Sequence, residues 1–143
     1  MQEMHRVLVS GGRLVLSIWR AIERSPGFLS LSQALAKHIS PEVGILPPFA
    51  LGDATGLTSE VAKAGFHDVT TQTLSRILRY TSLEEFVRTY LISTPLASLV
   101  AQIDEAKRTE VLADMKIALR SYIDTVKNDL AFPIESQIIM ARK

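Results

Sequence analysis

Gly11-Gly12-Arg13-Leu14-Val15-Leu16-Ser17-Ile18-Trp19 is the stretch on which the fold turns. Ser10, Gly11 and Gly12 form a turn by composition, because glycine takes the positive φ that other residues resist. The seven residues that follow carry Leu14, Val15, Leu16 and Ile18 with no polar alternation. That run predicts a strand buried on both sides, of the kind found in layered α/β domains with helices on both faces of the sheet.

Upstream, Glu3 to Leu8 reads as the end of a helix, with Met4, Val7 and Leu8 spaced to share one face. Downstream, Ser25-Pro26 starts a helix, with serine as the cap and proline at its first position. Phe28, Leu31, Leu35 and Ile39 are its buried stripe. Residues 40–51 hold Pro41, Gly44, Pro47 and Pro48 and read as an irregular loop. Asp53 to Ala64 predicts a short helix stopped by Gly65, with Leu57 and Val61 on one face. His67 to Tyr80 is rich in Val, Thr, Ile and Leu and predicts a long strand.

Ser82-Leu83-Glu84-Glu85 has the form of a capping box, in which the serine hydroxyl and the Glu85 carboxylate each satisfy a free backbone N–H. Leu83, Phe86, Val87, Tyr90 and Leu91 then trace a helical stripe, and Pro95 ends or restarts the helix. Leu96 to Ile103 is apolar enough for a second, short helix. A long helix is expected from about Glu105 to about Lys127, with Val111, Leu112, Met115, Ala118, Leu119, Tyr122 and Val126 facing the core. Phe132-Pro133 closes the connection to a final strand at Ser136 to Ala141. No repeat or linker interrupts residues 1–143, so a single domain is expected.

The 143 residues contain 16 Lys and Arg against 15 Asp and Glu, a net charge of +1. A nucleic-acid-coating protein needs a clear basic excess and an acidic disordered tail the opposite, so both are excluded. The hydrophobic share of 47% with 22% charged residues is enough to build a core. With 0 Cys there is no disulfide scaffold, thiolate zinc site or cysteine nucleophile. No apolar run approaches the roughly 18–20 residues that span a bilayer, and the first residues lack the layout of a signal peptide. A soluble protein of the cytoplasm is expected.

Several of these segments together resemble class I S-adenosylmethionine-dependent methyltransferases. Glu3-Met4-His5-Arg6-Val7-Leu8 followed by Gly11 to Trp19 is similar to the mid-domain signature of their small-molecule branch, the ubiquinone and menaquinone biosynthesis enzymes. In that branch a helix ends in E-x-x-R-V-L, a P-G-G turn follows, and the fifth strand begins. Ser10 stands where the family has proline, which loosens the turn. Ala64-Gly65-Phe66 with Val69 resembles the A-G-F turn into the sixth strand, and Ser82 to Phe86 the helix inserted after it. Ile138 to Ala141 would be the seventh strand, which in that family slots antiparallel between the fifth and the sixth. The resemblance covers the whole chain but only the second half of the family domain. It implies an α/β, truncated Rossmann-like fold: a three-stranded sheet, equivalent to strands five, seven and six in that order, with about five helices.

The family's methyl donor is held by a glycine-rich loop after the first strand and an acidic residue after the second. This sequence has no G-x-G-x-G. The nearest segment, Gly52-Asp53-Ala54-Thr55-Gly56, follows a proline-rich loop, without the strand–turn–helix frame that aims backbone N–H groups at a ligand. S-adenosylmethionine is therefore the cofactor of the intact family domain, and none is expected for this chain alone. No catalytic or cofactor-binding residue is assigned.

Trp19 and Arg20 stand at the carboxyl end of the first strand, where open α/β sheets bind ligands. They are candidate substrate-pocket residues, and Phe28, Leu31 and Phe49 with the Pro47-Pro48 loop are candidates for a lid over an apolar small molecule; plain packing is the alternative for these. His5, His38 and His67 are scattered, with no spacing that suits a metal. Glu84 and Glu85 are explained by the helix start rather than by acid–base chemistry. Arg13, Leu14, Val15, Leu16, Ser17 and Ile18 would, without a fourth-strand neighbour, leave an apolar edge. That edge is expected to pair with its own copy in a homodimer, or with a chain carrying the missing half. Three functions stay open: a methyltransferase half that is inactive alone, a non-catalytic ligand-binding or dimerisation module, and half of a split enzyme completed in trans.

Overall fold

The computed structural model describes residues 1–44, 46–52, 54–93 and 104–143. In chain order these form α1 (Gln2–Val7), β1 (Arg13–Trp19), α2 (Pro26–His38), α3 (Ala54–Lys63), β2 (His67–Tyr80), α4 (Leu83–Ile92), α5 (Glu105–Ala118) and β3 (Leu130–Arg142). Short 3-10 turns stand at Ile22–Arg24, Pro47–Phe49 and Arg120–Tyr122. The expected helix at 96–103 lies outside the described residues.

The fold is α/β: an open, antiparallel, three-stranded sheet with about five helices in a Rossmann-like arrangement. The strand order is β1-β3-β2, with the last strand in the middle, as the sequence resemblance implies. β3 runs antiparallel to β1 in unbroken register, from Arg13 opposite Arg142 to Trp19 opposite Ser136. It starts earlier than the sequence suggests and includes Pro133. Proline has no N–H to give a ladder, and Pro133 stands outside the residues that pair with β1. Among the described residues, no helix is long and apolar enough to cross a membrane.

The chain groups into two compact units: Met1–Arg24, Pro47–Arg76 and Glu135–Lys143 in the first, Ser25–Leu46 and Ile77–Ile134 in the second. The core of the first unit is Leu14, Val61, Phe66, Ile139 and Ala141, with Leu8, Leu16, Leu57 and Val69 packed around it. Leu14, Ile139 and Ala141 share one face of β1 and β3, Val61 comes from α3, and Phe66 follows the Gly65 that stops that helix at φ +99°. The opposite face is open. Val15 is 64% exposed, and its cross-strand partner Met140 is exposed too.

β1 is thus not buried on both sides. Its exposure alternates, with Leu14 alone fully buried and Arg13, Val15, Ser17 and Trp19 exposed. A continuous apolar run says that both faces tolerate burial, not that both are covered. The expected apolar face of α1 is likewise open, since Met4 and Val7 are exposed and only Leu8 joins the core.

The second unit is built on α2, α4, α5 and an aromatic cluster. Phe132 and Phe86 are fully buried with centroids 5.1 Å apart, and Phe28 meets both edge-on at 5.3 and 5.9 Å. Burial of such rings stabilises by roughly 1.5–3 kcal/mol each. α4 begins as its sequence predicts on the serine side, where the Ser82 hydroxyl accepts from Glu85 N–H at 3.1 Å. The Glu85 carboxylate reaches one residue further back than a capping box requires. It accepts from the N–H and hydroxyl of Thr81, which hold it below its ordinary pKa. At α2, Pro26 opens the helix as expected, but Ser25 makes no side-chain cap bond, and its buried hydroxyl has no partner among the described residues.

α5 ends at Ala118, well short of Lys127. Val111, Met115 and Leu119 are buried as expected, whereas Ala118 is exposed and Val126 is 91% exposed. The cause lies in the following turn. The Asp124 carboxylate accepts from the N–H groups of Val126 and Lys127, which lowers its pKa, and Asn128 takes φ 63°. A side chain that satisfies backbone donors in this way competes with helix, and Asn tolerates the left-handed region.

Candidate functional site

The site is a cleft of about 420 Å³ in the first unit, at the carboxyl end of β1. Ser17, Ile18 and Trp19 supply one side with Ser136 of β3, and Pro47, Pro48 and Leu51 supply the other. The walls follow from local chemistry. Pro47 and Pro48 set a 3-10 turn in which Ala50 N–H donates to the Pro47 carbonyl and Gly52 N–H to that of Phe49. Gly52 then lies so close to the chain after β1 that an added Cβ would stand 2.5 Å from the Ala21 nitrogen and Cα. Only glycine permits that approach, so the role of Gly52 is to pin the loop. Asp53 lies outside the described residues.

Trp19 is 41% exposed, and its indole is tilted against the buried Phe49 ring at a centroid distance of 6.5 Å. The structure thus brings two of the predicted pocket residues together. Arg20 is close by but engaged. Its Nη1 donates to Glu135 Oε2 at 2.6 Å, its backbone N–H donates to the Glu135 carbonyl at 3.0 Å, and both side chains are less than a third exposed. Phe28 belongs to the aromatic cluster of the second unit, with Phe86, Tyr90 and Phe132 as neighbours.

The described lining is serine, proline and aliphatic or aromatic carbon, with no carboxylate, histidine, lysine or arginine. Such walls offer apolar contact and two hydroxyls, and no group able to take or give a proton near neutral pH. Sequence reasoning missed Ser136, Leu51 and Glu135. Leu51 was legible as an apolar residue stranded in a proline-rich loop, whereas Ser136 and Glu135 become visible only from the β1–β3 register.

The histidines are placed apart. His5 meets Phe66 edge-on at 5.0 Å in the first unit, and His67 lies beside its neighbour Asp68. In the second unit His38 sits between Glu110, at 3.1 Å, and Asp114, at 2.8 Å. The Lys37 ammonium stands 2.6 Å from the same Asp114 oxygen, so that carboxylate already has a cation. Hydrogen bonds from Lys37 first, then from His38, hold the Asp114 carboxyl below its ordinary pKa.

No known family pattern matches the chain, and no curated protein is similar to it. Among solved structures it is similar to phosphoethanolamine N-methyltransferase 2 of Haemonchus contortus, in complex with phosphomonomethylethanolamine and S-adenosylhomocysteine. The likeness has a TM-score of 0.40 at 16% identity and covers 99% of this chain. This chain spans 29% of the length of that one, and a likeness at this level says nothing about activity.

Proposed function

We propose that this chain is the C-terminal half of a methyltransferase-like domain, unable by itself to bind S-adenosylmethionine or transfer a methyl group. One observation carries this reading: β3 lies between β1 and β2 and runs antiparallel to β1. Each motif also falls on the element it requires. Glu3 to Val7 lies in α1, Gly11-Gly12 precedes β1, and Ala64-Gly65-Phe66 joins α3 to β2. The lack of a glycine-rich strand–turn–helix cradle in the sequence supports the second clause. In this reading the chain supplies the strands equivalent to the fifth, seventh and sixth of the family sheet and none of the donor-binding loops. Isothermal titration of the chain with S-adenosylmethionine and S-adenosylhomocysteine is expected to give no binding in the micromolar range. Clear micromolar binding of either overturns the reading.

The cleft beside Trp19 favours a second reading, a non-catalytic module of the cytoplasm that binds an apolar small molecule. The uncharged lining supports it, because nothing there selects a charged group. Trp19 is the one tryptophan of the sequence, so its fluorescence reports on the cleft directly. Saturable quenching by small apolar aromatic compounds, weakened by Leu51→Asp, is expected if the cleft binds. Quenching that never saturates, or that ignores Leu51→Asp, counts against it.

A further inference from the structure

The two edge strands of the sheet differ in a way that singles out one of them. β2 carries His67, Asp68, Gln72, Arg76 and Arg79 with four threonines and serines between them, the polar character that keeps a strand edge from pairing. β1 carries Leu14, Val15, Leu16, Ile18 and Trp19, with no lysine, no proline and no bulge in its register. Among the described residues its protections are confined to its two ends, Arg13 at one and the Pro47-Pro48 turn beside Trp19 at the other.

The hydrogen-bond phase of β1 says what this edge can accept. Lys143 N–H donates to the Gly12 carbonyl at 2.9 Å, and Arg20 N–H donates to the Glu135 carbonyl at 3.0 Å. Both pairs continue the β1–β3 register, so the even-numbered residues face β3. The N–H and C=O groups of Arg13, Val15, Ser17 and Trp19 therefore point outward. A second β1 running antiparallel can meet all four only if Arg13 stands opposite Trp19 and Val15 opposite Ser17. The two-fold axis then passes through Leu16. A shift by two residues in either direction leaves outward groups of Arg13 or Trp19 without a partner.

The side chains agree with that register. Arg13 faces Arg142 across its own ladder, a like-charge neighbour that costs stability. Pairing about Leu16 sets Arg13 beside the half-exposed Trp19 indole of the other copy, a favourable cation–π combination made twice by symmetry. On the core side Leu14 meets Ile18, and Leu16 meets Leu16. We propose that β1 is a homodimer strand, joined antiparallel to its copy about a two-fold axis at Leu16.

This inference stands on the edge of β1 and not on the methyltransferase reading, so donor titration and the following test can fail separately. Light scattering on a sizing column at tens of micromolar is expected to give twice the chain mass of 15.8 kDa. Ser17→Pro removes an outward N–H and no bond to β3, and is expected to give a folded monomer by circular dichroism. The sequence has 0 Cys, so single cysteines are clean probes. Leu16→Cys places two thiols at the roughly 4.5 Å Cα separation of a non-hydrogen-bonded pair and is expected to form a disulfide-linked dimer on mild oxidation. Val15→Cys and Ser17→Cys, each two residues out of step with its own copy, are expected to stay unlinked. A monomeric wild-type chain overturns the proposal, as does a dimer indifferent to Ser17→Pro, or linkage at Val15 or Ser17 instead of Leu16. If Ser17→Pro does not fold, the cysteine series decides.

Discussion

Replacing Gly27 with alanine tests the packing of the second unit, because two well-understood effects oppose each other there. Alanine in a helix is favoured over glycine by up to about 1 kcal/mol, and Gly27 lies in the first turn of α2. An added Cβ, however, would stand 2.5 Å from Cε1 and Cε2 of Phe132, against an ordinary carbon contact of about 3.5–4.0 Å. Phe132 is fully buried, stacked on Tyr80 at 6.2 Å and set edge-on to Phe86 at 5.1 Å, so the ring has no open direction in which to swing. Overpacking of this kind costs about 1–3 kcal/mol. The steric effect wins, and Gly27→Ala is expected to destabilise by on the order of 1 kcal/mol, lowering the melting temperature by about 2–4 °C. Urea unfolding followed by circular dichroism measures it. In a Phe132→Leu background the same change is expected to be neutral or stabilising, a coupling above about 0.5 kcal/mol. If Gly27→Ala instead raises stability in the wild-type chain, the Phe132 ring yields to the new methyl group and is not a rigid wall.

Two further outcomes are expected. The folded-state pKa of Asp114 lies below its ordinary value, so the unfolded chain binds more protons in acid, and this contribution is lost as pH falls from about 4 downward. Asp114→Asn is therefore expected to flatten the acid limb of the stability profile, as read from urea midpoints against pH. Gly52→Ala pushes against the Ala21 backbone, which cannot rotate away as a side chain can, and is expected to cost about 1–3 kcal/mol. Because Gly52 pins the loop that carries Phe49, a shift in Trp19 emission is expected with it; unchanged emission would show that the loop is held by something else.

What the sequence made legible was local. The bounds of β2, the stop at Gly65 and the Ser82 cap each rest on a few neighbouring residues, and each matches the structure. The end of α5 did not, because the apolar spacing of Leu119, Tyr122 and Val126 continues past Ala118 as if the helix did. The competing signal is Asp124, whose side chain accepts from the backbone N–H groups of Val126 and Lys127, two and three residues further on. Periodicity has no term for that. The exposed face of β1 was hidden for a different reason: apolar residues record what a surface can bury, and a neighbour's presence is not written in them. At the cleft, Trp19 and the Pro47-Pro48 loop were readable, but the partner of Arg20 was not. Glu135 lies far along the chain and reaches Arg20 only because β3 pairs with β1 in one register. His38 and its carboxylates, separated by 72 and 76 residues, have the same excuse.

The central position of β3 has a kinetic side. Both neighbours of β3 precede it in the chain, so among the described strands β1 and β2 are joined only when Leu130–Arg142 arrives. The first ladder contact joins residues from opposite ends of the sequence, Arg13 and Arg142, and a contact so distant is slow to close. During that wait Leu14 and Leu16 lack the Ala141 and Ile139 side chains that stand opposite them and complete their core. A chain of this order should therefore assemble its sheet late and in a single step, with β3 as the wedge that draws two waiting strands together, and its hazards of wrong pairing should concentrate before that step rather than after it.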